Sequence, residues 1–184
     1  EEKVLRNNLD FAEGDLLTKL KISNSIDKLK TTGFFKDVKI KQKNIINSDN
    51  VDIEIKIVES PTGEIGAGVG VGSNGSNVSF NFKENNLLGK GLGFSVLGSF
   101  GTESVSANIS LSNPDFANSG NLLKTGINVS KYENETSGYE NKIIGASVST
   151  GFEWFEDVSL KYGISADIDD LTAEGSASSL IKSR

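Results

Sequence analysis

The sequence predicts a mainly β protein in which an N-terminal α+β unit precedes the antiparallel up-and-down strands of an incomplete transmembrane β-barrel. The first observation is a helical stripe followed by two alternating strands, all within residues 1–60. The second is a series of seven alternating runs that fills residues 61–184 without a helical period. The third is the composition of those runs, whose polar positions are mostly small and uncharged while their aromatic residues lie near the turns.

Local signals in the first 60 residues predict the α+β unit. Thr18 is a suitable N-cap for a helix, and Gly33 suits the position that follows its last turn. Between them runs one apolar stripe at helical spacing, made of Ile22, Ile26 and Leu29. Residues 38–40 and 51–57 then alternate between apolar and polar side chains, which predicts two strands joined by a polar turn at 47–50.

The runs of the second part alternate in the same way, so each has one apolar and one polar face. They are Ile65–Val71, Val78–Phe82, Leu92–Val96, Val105–Leu111, Leu123–Val129, Ile144–Val148 and Val158–Ile164. Soluble sandwiches and membrane barrels both show such alternation, and the alternation by itself admits either fold.

The aromatic residues and the small polar residues favour the barrel. Near alternate turns lie Phe82, Phe116, Phe152, Trp154 and Phe155, and near the turns between them lie Phe100, Tyr132 and Tyr139. Two such bands are typical of aromatic girdles at the two interfaces of a membrane. The Gly, Ser and Asn residues of the polar parity suit a crowded, hydrated lumen, whereas the wet face of a soluble sheet normally carries Lys, Glu and Thr.

The composition excludes several kinds of site. The 184 residues include no His and no Cys, which removes a His base, a His-containing triad and a thiolate metal site. The formal net charge of −6 argues against a nucleic-acid partner. Gly70–Gly75 fits the G-x-G-x-x-G pattern of a dinucleotide loop, but a strand follows it where the phosphate-binding helix must begin. We therefore expect no catalytic activity, cofactor, metal or small-molecule ligand.

Four segments resemble the BamA family, the outer-membrane protein assembly factors of Gram-negative bacteria. They read FAEGDLLTKLKISNSIDKLKTTGFFKDVKIK, VDIEIKIVESPTGEIGAGVGVGS, ENNLLGKGLGFSVLGS and SLSNPDFANSG, and they follow one another in order along nearly the whole chain. The resemblance implies that residues 1–60 are the last POTRA domain with its first strand missing, and that 61–184 are the N-terminal part of the barrel. Members of the family have sixteen barrel strands, of which seven are present here.

The resemblance also implies a location, partners and two periplasmic turns. The turn residues are Asn85, Asn86, Gly89 and Gly91 after the second barrel strand, and Asn113 and Pro114 after the fourth. The barrel would lie in the bacterial outer membrane and the POTRA part in the periplasm. The implied function is the folding and insertion of other β-barrel proteins. The implied partners are unfolded outer-membrane β-barrel substrates, accessory envelope lipoproteins and outer-membrane lipid.

Two other functions are compatible with the sequence. Within the superfamily, the chain could belong to the related translocation factor for autotransporters or to a two-partner secretion transporter. Outside it, the chain could be a soluble β-rich binding module.

The first barrel strand is the candidate site for substrate strands. It consists of Glu64, Ile65, Gly66, Ala67, Gly68, Val69, Gly70, Val71 and Gly72, and a hairpin turn at 73–76 is expected to follow. Glycine weakens a strand because it loses more chain entropy and offers no side chain to pack. We hypothesise that this strand is a weak seam edge that templates incoming strands. The alternative is that the glycines only relieve crowding in the lumen.

Overall fold

The computed structural model describes residues 2–46, 50–72, 75–134, 138–155 and 157–173. They fall into two compact units, one made of the chain up to Thr62 together with Leu88–Gly91, the other of the remaining residues. The turn predicted at 47–50 and the hairpin turn predicted at 73–76 lie partly outside the described residues.

The first unit contains two helices and a two-stranded antiparallel sheet. Its elements are α1 (Glu2–Asn7), α2 (Lys19–Thr31), β1 (Phe35–Asn44) and β2 (Val51–Glu59). The predicted caps are confirmed, since the Thr18 hydroxyl accepts a hydrogen bond from the Lys21 N–H at 3.2 Å. Gly33 has a φ of +74°, the left-handed conformation that ends a helix with least strain in glycine.

The core of the first unit lies between α2 and β1. Leu29 is fully buried there together with Phe35 and Val38, and Leu5, Leu9, Ile26, Phe34, Ile40 and Ile57 pack around them. A buried hydroxyl accompanies this core. Ser25 donates to the Lys21 carbonyl at 2.7 Å and accepts from the Asp10 N–H at 2.9 Å, so it connects α2 to the segment that precedes the helix.

The second unit is one antiparallel sheet of seven strands in chain order. They are β3 (Gly63–Gly72), β4 (Gly75–Leu87), β5 (Leu92–Gly101), β6 (Ser104–Phe116), β7 (Asn121–Asn134), β8 (Tyr139–Phe155) and β9 (Val158–Ala173). The predicted mainly β class and the seven up-and-down strands are confirmed. The strands form a single open sheet with β3 and β9 at its edges, and not two packed sheets as in a sandwich.

The apolar side chains of this sheet have no protein core to enter. Every large apolar residue that is buried in the described part of the chain belongs to the first unit. In the sheet, Val69, Ile127 and Ile164 remain more than half exposed. A continuous apolar face of this size is unstable in water and is instead typical of a surface that contacts lipid.

Four residues predicted to lie in turns lie instead at the ends of strands. Asn85 and Asn86 fall within β4 at an irregularity in its pairing with β5, and the turn itself is Leu88–Gly91. Asn113 and Pro114 fall within β6 at a similar irregularity in its pairing with β7. A proline lacks the N–H that a regular ladder requires, so its position at a bulge is the one a strand tolerates.

Candidate functional site

The candidate edge is strand β3, which has a single neighbour among the described strands. It pairs with β4 over its whole length, from Gly63 opposite Glu84 to Gly72 opposite Gly75. Its apolar side chains lie on one face, where Val69 and Val71 are 85% and 90% exposed. Gly66, Gly68, Gly70 and Gly72 occupy the other face. The nine residues predicted as the edge therefore form one continuous strand with two unlike faces.

One hydrogen bond fixes which backbone groups of β3 face its open side. The Ser76 carbonyl accepts from the Thr102 N–H at 3.0 Å, so the backbone groups of Ser76 point toward β5 and away from β3. Backbone direction alternates along an antiparallel strand, and Asn77, Ser79 and Asn81 therefore point toward β3. Their register partners are Gly70, Gly68 and Gly66.

It follows that Gly66, Gly68, Gly70 and Gly72 direct their N–H and C=O groups toward β4. The backbone groups of the intervening residues point toward the open side of the strand. These residues are Ile65, Ala67, Val69 and Val71, the same four that carry the apolar face. On the side of β3 away from β4, main-chain hydrogen-bonding groups that no described strand uses therefore lie beside apolar side chains. An amphipathic strand can pair with such a side.

The glycine face is covered by side chains from β4. An ideal Cβ on Gly68 would lie 3.0 Å from Ser79 Oγ, and the amide oxygens of Asn81 and Asn77 occupy the corresponding space over Gly66 and Gly70. Sequence reasoning did not single out these three polar residues. In the sequence they are recognisable only as alternate polar residues of the second barrel strand. That they lie opposite the glycines becomes known only from the register.

The apolar face continues across all seven strands. The stretch of each strand over which this face carries apolar residues, here called the apolar band, shifts in position from β3 to β9. One row of the face consists of Val69, Val78, Phe100, Val105, Lys131, Lys142 and Asp170. This row is apolar on β3–β6 and charged on β7–β9. The neighbouring row is apolar on both sides of that change and ends in Val129, Ile144 and Ile168.

Strand tilt accounts for the shift. We call the end of the band that lies toward the β3–β4 connection its outer end. It lies at Val71 on β3 and at Ile144 on β8. This is a difference of two rows over five strand steps, and successive rows of one face are two residues apart. With about 3.3 Å per residue and about 4.8 Å between strands, this corresponds to strands inclined by roughly 30° to the membrane normal. The inner end, at Ile65 and Phe152, gives roughly 40° by the same spacing. Transmembrane barrels have strands tilted by about 35–45°.

A group of ion pairs lies where the apolar band ends on β7 and β8. The Lys131 ammonium is 2.7 Å from Glu140, and the Lys142 ammonium contacts the other oxygen of the same carboxylate at 2.7 Å. Glu133 is 3.4 Å from Lys131. Charged side chains that pair with one another on the same face as the apolar band are expected in the headgroup region, beyond the hydrocarbon.

The aromatic residues predicted as girdles are divided between the two faces. Phe82, Phe100 and Phe152 lie on the apolar face by register. Phe152 forms a cluster there, with its ring centroid 6.0 Å from Trp154 and 6.3 Å from Tyr162. Phe116 and Phe155 follow irregularities near the same end of the sheet.

Tyr132 and Tyr139 lie on the polar face, because Tyr132 is paired with Ser104 and Tyr139 with Asn134. Their rings are 6.1 Å apart and the Tyr132 hydroxyl accepts a hydrogen bond from Asn134 at 3.1 Å. They contact each other rather than the apolar face.

The residues predicted for the periplasmic turns make local hydrogen bonds that close each turn. The Asn86 N–H donates to Glu84 Oε1 at 2.7 Å, and the Asp115 N–H donates to Asn113 Oδ1 at 3.1 Å. Gly89 and Gly91 have φ values of +68° and +69°, a conformation that glycine adopts without strain. Pro114 lies within the second of these bonded segments.

Within the described residues, no group of three or more acidic side chains is placed to hold a metal ion. None of the described helices is long and apolar enough to cross a membrane.

Family models match both parts of the chain. Residues 86–183 match the model described as the Omp85 superfamily domain. Residues 1–60 match the POTRA model, described as a surface antigen variable number repeat.

Known proteins are similar over the same parts. An outer membrane protein assembly factor BamA of Neorickettsia risticii is 28% identical over 188 residues, which include 100% of this chain and 25% of that protein. The BamA of Buchnera aphidicola is 35% identical over 94 residues, covering 50% of this chain and 15% of that protein.

A solved structure of BamA from Haemophilus ducreyi lacking POTRA domains 1–3 matches with a TM-score of 0.82 and 32% identity. The match covers 94% of this chain and 34% of that one. These similarities confirm the resemblance on which the sequence interpretation depends. The chain spans about a quarter to a third of the longer proteins that it matches end to end.

Proposed function

Because the chain belongs to the Omp85 superfamily, we propose that the full-length protein folds β-barrel proteins and inserts them into the bacterial outer membrane. The strands of the second unit lie in that membrane, and the POTRA part lies in the periplasm. The proposed process is non-covalent and requires no catalytic residue. Its substrates, called clients below, are unfolded outer-membrane β-barrel polypeptides.

The physical problem for a client is its unpaired backbone. Each N–H or C=O without a partner costs several kcal/mol in hydrocarbon, so a single strand cannot enter the bilayer alone. A strand edge that already lies in the membrane can supply those partners by β-augmentation. In this proposal β3 is that edge, and it separates from its closing neighbour in the complete barrel because its glycines make a weak seam.

The observation that carries the proposal is the arrangement of groups on β3. Its open side presents the main-chain groups of Ile65, Ala67, Val69 and Val71 beside an apolar face. The four glycines of the other face contribute no side-chain packing to a closing strand. An edge that offers hydrogen bonds and little side-chain packing binds a neighbour well enough to order it and weakly enough to release it.

The remaining parts of the chain receive roles that go with this one. We assign residues 1–60 to the last POTRA domain, which would handle clients and accessory lipoproteins, and residues 61–184 to the barrel. The aromatic residues of the apolar face would contact the interfaces of the outer-membrane lipid. The turns at 88–91 and 117–120, with the strand ends at 85–86 and 113–114 that lead into them, would lie on the periplasmic side.

The proposal is tested by replacing Gly66, Gly68 and Gly70 together with Val in the full-length protein. Valine favours strands, so we expect a tighter seam and client insertion into liposomes slowed several-fold. The matched control is Gly98→Val on β5, two strands from the edge, where an added Cβ meets only ordinary contacts at 3.5 and 3.9 Å. Unchanged insertion kinetics in the triple variant would contradict the weak-seam proposal.

A separate readout distinguishes the alternative role of the glycines. If they only relieve crowding, the triple variant will lose its own heat-modifiable migration on gels, because Val will displace the Asn77 and Asn81 side chains. The related translocation and secretion transporters remain the alternative function within the superfamily. The number of POTRA domains in the full-length protein separates these transporters from an assembly factor.

A further inference from the structure

We propose that two strands share the recognition of a client: β3 supplies the main-chain hydrogen bonds, and β4 supplies the side chains that contact the client's polar face. The inference rests on the proposed function and adds a specificity determinant to it. The determinant consists of Asn77, Ser79 and Asn81, which lie one strand away from the open edge.

The main-chain part fixes the phase of the client strand. An antiparallel client forms hydrogen-bonded pairs with Ile65, Ala67, Val69 and Val71, because within residues 64–72 these are the ones whose backbone groups point outward from the sheet. Paired residues place their side chains on the same face, so the client residues in these pairs lie on the apolar face. A slip by one residue would move every polar client side chain into lipid.

The client residues between those pairs lie opposite Gly66, Gly68 and Gly70. Such non-hydrogen-bonded pairs bring the two strands closest, with Cα atoms about 4.5 Å apart. Glycine offers no side chain at this distance, and the space above it holds the amide oxygens of Asn81 and Asn77 and, over Gly68, the Ser79 hydroxyl. A client side chain on the polar face therefore meets groups from β4 across a glycine.

The chemistry of these groups indicates the preferred client residue. Asn77 donates its Nδ2 to Ser99 Oγ at 3.3 Å, which holds the side chain in place while its Oδ1 lies over Gly70. Amide and hydroxyl groups can both donate and accept hydrogen bonds. All three residues are uncharged, so they fit client strands whose polar face carries Ser, Thr, Asn or Gln.

A double-mutant cycle tests the side-chain part in the full-length protein reconstituted in liposomes. The client is a urea-unfolded β-barrel protein, either unchanged or with the Ser and Thr residues on the polar face of its docking strand replaced by Ala. We expect Asn81→Ala to slow folding of the unchanged client by about threefold to tenfold, the size of one hydrogen bond. The Ala-substituted client should fold equally fast with either protein.

The matched control is Asn108→Ala, because Asn108 lies in the same row of the polar face but on β6, two strands farther from the edge. Heat-modifiable migration verifies that each variant is folded. If Asn81→Ala fails this check, Asn77→Ala replaces it in the cycle. Equal rates for the Asn81→Ala or Asn77→Ala variant and the Asn108→Ala control would overturn the side-chain part.

A main-chain substitution separates failure of this inference from failure of the proposed function. Replacing Ala67 with lactic acid removes an N–H that faces the client, and replacing Gly68 with glycolic acid removes one that faces β4. If only the first ester slows folding and Asn81→Ala has no effect, the pairing of the client with β3 stands. The contact between β4 side chains and the client is then rejected. No effect of the first ester overturns the template itself, as does a wild-type protein that folds clients no faster than empty liposomes.

Discussion

A buried hydroxyl shows how much the first unit depends on single residues. Ser25 is fully buried, and it satisfies both the Lys21 carbonyl and the Asp10 N–H. Removing one partner from a buried hydrogen bond costs about 1–3 kcal/mol, because the other partner loses its water without compensation. The residue therefore holds the segment before α2 against the helix more strongly than its size suggests.

We predict that Ser25→Ala lowers the stability of α2 by about 1–3 kcal/mol. The measurement is amide hydrogen exchange of α2 in the full-length protein, read by mass spectrometry. Ser23→Ala is the matched control, since Ser23 is exposed on the same helix. Equal protection of α2 in both variants would show that the Ser25 hydroxyl contributes nothing to stability.

Asp10 adds a pH-dependent contact at the same place. Its carboxylate accepts a hydrogen bond from the Lys28 ammonium, and this bond lowers the pKa of Asp10 below its usual value. A carboxyl group whose pKa is lowered by folding stabilises the folded state above its unfolded pKa. That stability is lost as the pH falls through the folded pKa.

We therefore predict that Asp10→Asn reduces the exchange protection of α2 at pH 7. The difference between variant and wild type should shrink as the pH is taken below about 4, where the carboxyl group of the unfolded chain becomes protonated. Protection factors corrected for the intrinsic exchange rate at each pH provide the measurement. If the difference in protection stayed constant down to pH 3, the stabilising effect of Asp10 would not depend on its negative charge, and the contact with Lys28 would not be its cause.

At the scale of elements, periodicity is sufficient to predict the strands, but it does not predict their register, that is, which residues of neighbouring strands are paired. Alternation identifies all seven strands of the sheet because lipid and a hydrated interior impose opposite demands on successive residues. It cannot show that Asn77 and Asn81 lean over glycines of the neighbouring strand, because that depends on which residues are paired. It also placed Tyr132 and Tyr139 near the correct end without showing that they lie on the polar face.

The bulges in β4 and β6 are a second feature that periodicity does not predict. Asn86 and Asn113 are turn formers by composition, yet each lies at an irregular strand end where a side chain and a backbone N–H bond locally. A bulge adds one residue to one strand only, so the sequence of that strand gives no sign of it. Gly89 and Gly91 lie in the first turn as predicted, but each predicted turn begins too early, at Asn85 instead of Leu88 and at Asn113 instead of Ala117.

Adjacent residues of β8 allow the two faces of the sheet to be compared directly. Val148 lies on the apolar face and Ser147 on the polar face, and both are exposed in the sheet. We predict that Val148→Arg destabilises the full-length barrel by about 2–4 kcal/mol in a bilayer, because the charge enters hydrocarbon. Ser147→Arg should cost much less. Urea titration of heat-modifiable migration in liposomes measures both, and equal costs would contradict the assignment of the faces.

At the scale of the whole second unit, the drift of the apolar band relates the sheet to the membrane. Val69 and Lys142 belong to one row of residues paired across the strands, yet one lies inside the band and the other beyond its end. Strands perpendicular to the bilayer would hold all members of a row at one depth. The sequence shows where the apolar band ends on each strand, and the register shows which residues share a row. Both are needed to derive the tilt of the strands.

We predict that nitroxide labels at Val69 and Lys142 report different depths in liposomes containing the full-length protein. With strands inclined by roughly 30–40°, five strand steps of about 4.8 Å separate the two sites by roughly 12–15 Å along the membrane normal. The label at Val69 should relax with oxygen, and the label at Lys142 with a water-soluble nickel complex. A label at Val148, three rows farther into the band than Lys142 on the same strand, is the control and should behave like Val69. Equal depths for Val69 and Lys142 would mean that the charged row enters the bilayer, which the cost of burying its lysines opposes.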